Sequence, residues 1–339
     1  MSKLNGWDMY ELTISDLQRH FSQQHFSCVE CTSYCIDYIQ VVNPYVEAVI
    51  EINPEALAIA KRLDRERLAG KTRGLLHGLP LLVKDNVATK DSMQTTAGSW
   101  ALLGSIVRKD AFTISRLRDA GAIILGHANM SEWASLRSKE YSTSYSPRGG
   151  QVRNPYDLRK SPFGSSSGSA VAVSANLIPL SIGTETDTSI IGPAGANGVV
   201  GIKPTVGLTS RAGVIPISEN LDTVGPFGRT VADAVAVLDV IAAPDADDAF
   251  TSVPERMQPK SYLSYISTQD VLRGACFGLP MKGCWDLAPE SCKAVASKVL
   301  GAMRQVGVEI IEVNLPSIEE RKTPDGSWDW EHGDPAKSE

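Results

Sequence analysis

The sequence predicts an α/β fold built on a mixed or parallel sheet, and three stretches carry that prediction. Between Asp110 and Leu125 a helical pattern, with Ala111, Ile114 and Leu117 on one face, meets Gly121 and then the apolar strand Ala122 to Leu125. Leu79 to Val83 is short and almost wholly apolar, the composition of a strand buried on both faces. The run Ala170 to Ile182 reads as one buried element flanked by glycine-spaced turns. Helix, turn and buried strand in alternation is the signature of layers around a sheet.

The other elements follow in chain order. Thr13 to Val42 reads as two helices, with Ser15 as the cap before Leu17 and Phe21, and Asn43-Pro44 is expected to stop the second. Val46 to Ile52 has the β-branched density of a strand. Pro54 to Leu68 returns to helical spacing and ends at the Gly70-Lys71 turn. Tyr141 to Lys160 is a polar loop, and Thr230 to Ala242 a helix capped by Thr230 with Val231, Ala234, Val235 and Leu238 inward. Pro244 to Pro259 reads as a surface connection. Ala275 to Leu279 is a strand, Pro289 to Val306 a helix and Val308 to Val313 a strand, after which the chain turns polar beyond Leu315.

Composition narrows the function classes. The 339 residues are 42% hydrophobic and 21% charged, with a net charge of −6, so nothing marks a nucleic-acid or acidic-membrane surface. A small neutral substrate fits better. The first twenty residues hold no apolar core of signal-peptide length, and no run approaches the roughly 18 apolar residues of a membrane span, so a cytoplasmic protein is expected. The six cysteines are then expected as reduced thiols. Cys28, Cys31 and Cys35 with His25 could ligate a metal, but their i, i+3, i+7 spacing puts the thiols on the buried stripe of a helix near Ile39. Cys276, Cys284 and Cys292 show no paired spacing, so no metal is expected, and no organic cofactor is implied. Oligomeric state is left open.

The chemistry concentrates between Ser161 and Thr205, where two serine-bearing, glycine-spaced loops flank the apolar run. Glycine lets backbone N–H groups approach a ligand, and serine offers a hydroxyl that attacks or relays protons. The candidate base is Lys84, delivered by LPLLV into the interior, where desolvation disfavours an ammonium. The alternative for Lys84 is an ion pair with Asp85.

Lys84 in LPLLVKDN, Ser165 and Ser166 in SPFGSSSGSA, GTETDTSI (Gly183 to Ile190) and NGVVGIKPT (Asn197 to Thr205) together resemble the amidase signature family. MQTTAGSWALLGS, ANMSEWA, RNPYDL and DTVGPFGRTVADAVAVL extend the resemblance from about Leu12 to Ala243, and the GTETD variant is similar to the peptide amidase-like branch. The resemblance implies a mixed β-sheet core covered by helices on both faces. It also implies an N-terminal helical region over 1–70, a catalytic core over 71–243, and over 244–339 a partial C-terminal part of the same domain. The implied activity is amide hydrolysis by a Ser-Ser-Lys triad: Ser189 as nucleophile, Ser165 as bridge after a cis bond from Gly164, and Lys84 as base. For Lys84 to work, its pKa must fall from about 10.4 towards neutrality, a cost of ~4 kcal/mol to the ammonium. Backbone N–H groups of Thr186, Asp187, Thr188 and Ser189 would form the oxyanion hole.

Two positions depart from the family pattern. Thr188 stands where relatives usually carry Gly, so a positive φ there would be strained. Ile191 stands where many have Arg, which is expected to make the substrate pocket apolar and to disfavour glutamine. Ser131 in NMSEW is a candidate substrate contact, though it could equally cap a helix.

Competing readings meet specific obstacles. GSSSG (Gly164 to Gly168) also fits a nucleophile elbow at Ser166, but YDLRKSPF before it is no strand and the only later histidine is His332. Gly195, Gly198 and Gly201 have neither Rossmann nor P-loop spacing. Two relatives of the favoured reading stay open: an inactive amidase-like binder, and a glutamine-hydrolysing amidotransferase subunit.

Overall fold

The computed structural model describes residues 2–138, 140, 142–252 and 259–315. The chain divides into two compact units, Met1–Leu263 and Ser264–Glu339.

The first unit opens with a small hairpin, β1 (Lys3–Leu4) and β2 (Trp7–Asp8), followed by helices α1 (Ile14–Ser22) and α2 (Cys28–Val46). Thr13, not Ser15, caps α1: its hydroxyl accepts from the Asp16 N–H while the Asp16 carboxylate accepts from the Thr13 N–H. Ser27 and Glu30 repeat the arrangement on α2. Cys28, Cys31, Cys35 and Ile39 lie buried on one stripe of α2, as their spacing predicts, and burial pushes the Cys28 thiol up to about 12. Asn43-Pro44 does not stop this helix: Pro44 lies inside its last turn and has no N–H for the Gln40 carbonyl, yet the helix runs on to Val46. The helix ends instead at Glu47, in the left-handed region with φ 49°.

The elements that build the central sheet follow: β3 (Val49–Ile52), α3 (Ala56–Leu68), β4 (Pro80–Lys84), α4 (Phe112–Asp119) and β5 (Ile123–Ala128). A short hairpin, β6 (Tyr145–Ser146) and β7 (Gly150–Gln151), leads to α5 (Ser167–Ser174) and β8 (Leu180–Glu185). Then come α6 (Ile191–Asn197), β9 (Val200–Gly201), β10 (Thr223–Gly228) and α7 (Val231–Ile241). The run Ala170 to Ile182, expected as one element, is two, because Asn176 takes a φ of 61° and Pro179 cannot continue a helix. Helix α7 is capped by Thr230 as expected, but Val231 at its first position is exposed, while Ala234, Val235 and Leu238 are buried.

Six strands form one mixed sheet in the order β3-β5-β4-β8-β10-β9. Strands β5, β4 and β8 run parallel and every residue in them is buried; β3, β10 and β9 pair antiparallel at the flanks. The register pairs Leu81 with Leu180 and Val83 with Ile182, so β4 and β8 end side by side. Lys84 is the last residue of β4, and Thr184 and Glu185 the last of β8. The carboxyl ends of parallel strands are where α/β sheets place their sites.

Helix α5 lies against β4, β5, β8 and β10. Its small residues allow this: a Cβ on Gly168 would stand 2.3 Å from the Ala48 carbonyl oxygen and 2.5 Å from the Asn129 nitrogen. The second unit carries β11 (Cys276–Pro280), α8 (Glu290–Gln305) and β12 (Glu309–Val313), with α8 as the crossover a parallel pair needs. The polar tail expected beyond Leu315 lies outside the described residues, as does most of the latter half of the Pro244 to Pro259 connection.

Gly168→Ala is expected to destabilise the first unit by roughly 2–3 kcal/mol, since the atoms in the way are backbone and cannot rotate aside. Urea denaturation checks this. A midpoint equal to wild type would mean that α5 can lift off the sheet at no cost.

Candidate active site

At the carboxyl end of β4 the Lys84 side chain is fully buried, and its Nζ lies 2.8 Å from Ser165 Oγ. Ser165 Oγ lies 2.9 Å from Ser189 Oγ. The three residues therefore form one continuous chain of heteroatoms across 105 residues of sequence, with Ser165 at 2% and Ser189 at 7% exposure. The peptide bond between Gly164 and Ser165 is cis, the isomer the resemblance implies.

Burial lowers the Lys84 pKa to about 7, against the opposing pull of the Glu185 and Asp222 carboxylates. Near neutral pH the side chain is thus available as an amine. Its further contacts are the Thr184 carbonyl oxygen at 3.1 Å and the Thr184 hydroxyl at 2.8 Å.

Asp85 does not pair with Lys84. Successive side chains of a strand point to opposite faces, and the Asp85 carboxylate accepts instead from Thr96 Oγ1 at 2.5 Å, the Gly98 N–H at 2.8 Å and Arg148 Nη1 at 3.1 Å. His127 Nδ1 sits 2.8 Å from the same carboxylate. Burial pushes the Asp85 carboxyl up, but these hydrogen bonds and the Arg148 charge hold it below the ordinary value.

The loop Thr186 to Ser189 follows β8 directly. Glu185 holds it from beneath: one carboxylate oxygen accepts from the Ile190 N–H at 2.6 Å and the Ile191 N–H at 2.9 Å. Thr186 Oγ1 donates to Asp222 at 2.6 Å. Backbone N–H groups of Thr186, Asp187, Thr188 and Ser189 have no hydrogen-bond acceptor among the described residues, which leaves them available to an oxyanion. Thr188 takes a φ of 147°, a conformation that favours glycine and strains a β-branched side chain.

A cavity of about 630 Å³ opens over the two serines, lined among others by Leu136, Phe163, Ser165, Asp187, Thr188 and Ser189. Two residues expected at the substrate stand elsewhere. Ser131 is buried outside this lining, accepting from the Ser144 N–H through Oγ and donating its own N–H to the Ser165 carbonyl. Ile191 is half exposed and also outside the lining, so it does not set the polarity of the cavity and gives no argument about glutamine. Ser166 is fully buried, donates to the Thr184 carbonyl at 3.0 Å and follows no strand, so it is not an elbow nucleophile. Gly201 packs where a Cβ would meet Ala194 and Ile190, a packing role. Sequence reasoning passed over Thr184, Glu185 and Asn86, although all three sit in or beside the quoted motifs.

The amidase family profile matches residues 30–323. The chain belongs to the amidase family. Among solved structures the chain is similar to the native peptide amidase of Stenotrophomonas maltophilia, at 44% identity and a TM-score of 0.86, over 92% of this chain and 63% of that one. It is 45% identical over 341 residues to a Schizosaccharomyces pombe protein that carries an amidase designation, a match over 100% of this chain and 58% of the relative. A glutamyl-tRNA(Gln) amidotransferase chain from Symbiobacterium thermophilum is 38% identical, over 91% of this chain and 61% of the relative. This chain therefore spans about three-fifths of the length of each.

Two stability effects are expected. A lysine whose pKa is lowered in the fold binds fewer protons than the unfolded chain between about pH 7 and 10, so wild-type stability rises with pH across that window. Lys84→Met removes that cost, so its stabilisation relative to wild type should be largest below pH 7, at most ~5 kcal/mol, and fade towards pH 10.5. Unfolding curves at pH 6 and 10.5 test this, and a difference independent of pH contradicts a buried amine. Thr188→Gly should raise stability by about 1 kcal/mol through relief of the strained φ, read as a shift in thermal midpoint.

Proposed function

We propose that this amidase hydrolyses a neutral carboxamide through an acyl-enzyme on Ser189. The observation that carries the proposal is the unbroken contact from the buried Lys84 through Ser165 to Ser189. Lys84 takes a proton from Ser165 as Ser165 takes one from Ser189, and Ser189 Oγ attacks the amide carbonyl. The carbonyl oxygen becomes an oxyanion facing the free N–H groups of Thr186 to Ser189. Collapse breaks the carbon–nitrogen bond, and the departing nitrogen receives the proton from Lys84 through Ser165. Water, activated by the same relay, then attacks the ester and returns Ser189 with the carboxylic acid product.

The substrate reading rests on the cavity wall. Among the described lining residues the one charged side chain is Asp187, with apolar surface from Leu136, Phe163 and Ile217. A free carboxylate, as on glutamine, would face Asp187 without a cation. A peptide C-terminal amide or a small apolar amide brings no such charge, and the peptide amidase relative points the same way. Neither metal nor organic cofactor has a part in this scheme. All six cysteines are free thiols, which fits work in a reducing compartment such as the cytoplasm.

Labelling with a fluorophosphonate probe, combined with ammonia release from a panel of peptide and small apolar amides, tests the proposal. Ser189→Ala should abolish labelling and lower kcat by on the order of 10⁶-fold. Labelling that persists in Ser189→Ala would falsify the nucleophile. Folded wild type with neither labelling nor turnover would favour a binding protein. Activity should rise with pH as Lys84 loses its proton, half-maximal near pH 7; a flat profile from pH 5 to 9 removes Lys84 as base.

A further inference from the structure

The Lys84 amine has more partners than the relay uses, and counting them points to a further residue. Protonated, Nζ has three N–H donors, matched by three oxygens: Ser165 Oγ, the Thr184 carbonyl and Thr184 Oγ1. Deprotonated, it has two donors and one lone pair. Only if that lone pair faces Ser165 can the amine accept the proton that Ser189 passes on. The Thr184 carbonyl can only accept, so it takes one N–H. The second N–H must go either to Thr184 Oγ1, leaving the lone pair on Ser165, or to Ser165 Oγ, leaving the lone pair on the wrong side.

From this geometry we infer that Thr184 is a positioning residue, which holds both N–H groups of the Lys84 amine and so turns its lone pair towards Ser165. The inference rests on the hydrolase reading given above. Thr184 is well placed for the task. Its carbonyl is fixed by the Ser166 hydroxyl at 3.0 Å, and its own hydroxyl is held by Asn86 Nδ2 at 3.0 Å, two residues after Lys84. Thr184 and Asn86 are almost fully buried, so water does not compete for either contact. Both acceptors for the amine thus come from one residue at the end of β8, beside the end of β4. Side-chain and backbone oxygen move together, and the vertex left open is fixed by the sheet itself.

Thr184→Val keeps the shape and removes the hydroxyl, Thr184→Ser keeps the hydroxyl, and Thr184→Ala serves if valine disturbs folding. Each is compared with wild type by fluorophosphonate inactivation rate and by kcat and KM for ammonia release, from pH 5 to 9. Loss of the hydroxyl should lower kcat and the inactivation rate by about 10- to 100-fold with little change in KM. It should also move the acid limb to lower pH, because the ammonium form loses an acceptor. Thr184→Ser should restore the wild-type rate and limb. A merely structural role would not move the limb in this direction. If Thr184 instead donates its proton into the lone pair, its removal would free the base, so Thr184→Val at or above the wild-type rate overturns the inference. An unmoved acid limb does the same. These outcomes leave the hydrolase reading standing when wild type is labelled and Ser189→Ala is not; if wild type is inert, both readings fall together.

Discussion

The proposed chemistry depends on one constraint: a lysine must remain uncharged near neutral pH while surrounded by oxygens that would welcome its ammonium form. Full burial supplies the penalty on the charge, and two carboxylates within reach, Glu185 and Asp222, work against it. The fold limits that opposition by giving each carboxylate donors of its own. Glu185 accepts from two backbone N–H groups at the start of α6, and Asp222 from those of Ile217 and Ser218 and from the Thr186 hydroxyl. Through these bonds the two carboxylates hold the loop from Thr186 to Ser189 in place.

Positioning follows from the sheet. Two adjacent parallel strands end close together, so a side chain from β4 and a residue from β8 meet without a long loop between them. Helix α5 begins beside the bridging serine and is pressed onto the sheet by Gly168, and Ser131 ties the Ser165 carbonyl to the strand-following segment after β5. Ser165 is thereby held from its backbone on both sides, as a proton bridge requires if its hydroxyl is to turn while its oxygen stays in place.

Much of this was legible in the sequence alone. Buried strands such as Leu79 to Val83 announce themselves by composition, and the triad residues lie in long motifs whose order is informative. Other features were hidden for identifiable reasons. Ser15 and Thr13 are both good caps, and only the position of Asp16 relative to the first turn separates them. The break at Asn176 interrupts an apolar run that periodicity alone cannot divide. Ser131 is expected at the substrate from its motif and Ile191 from the family pattern, whereas the fold turns the first into the interior and leaves the second half exposed. Thr184 escaped because its importance lies in a count of donors around another residue's nitrogen, which no string of letters displays.

Lys84 at the end of β4 sends its amine to one side and Asp85, just past that end, its carboxylate to the other, each into a buried compartment built for its charge. Gaining a single codon upstream in this strand would therefore drive an ammonium in among Arg148 and His127, and losing one would set a carboxylate beside Ser165 and Thr184. Length variation among descendants of this chain should accordingly accumulate in the surface turns and spare the five residues that end at Lys84.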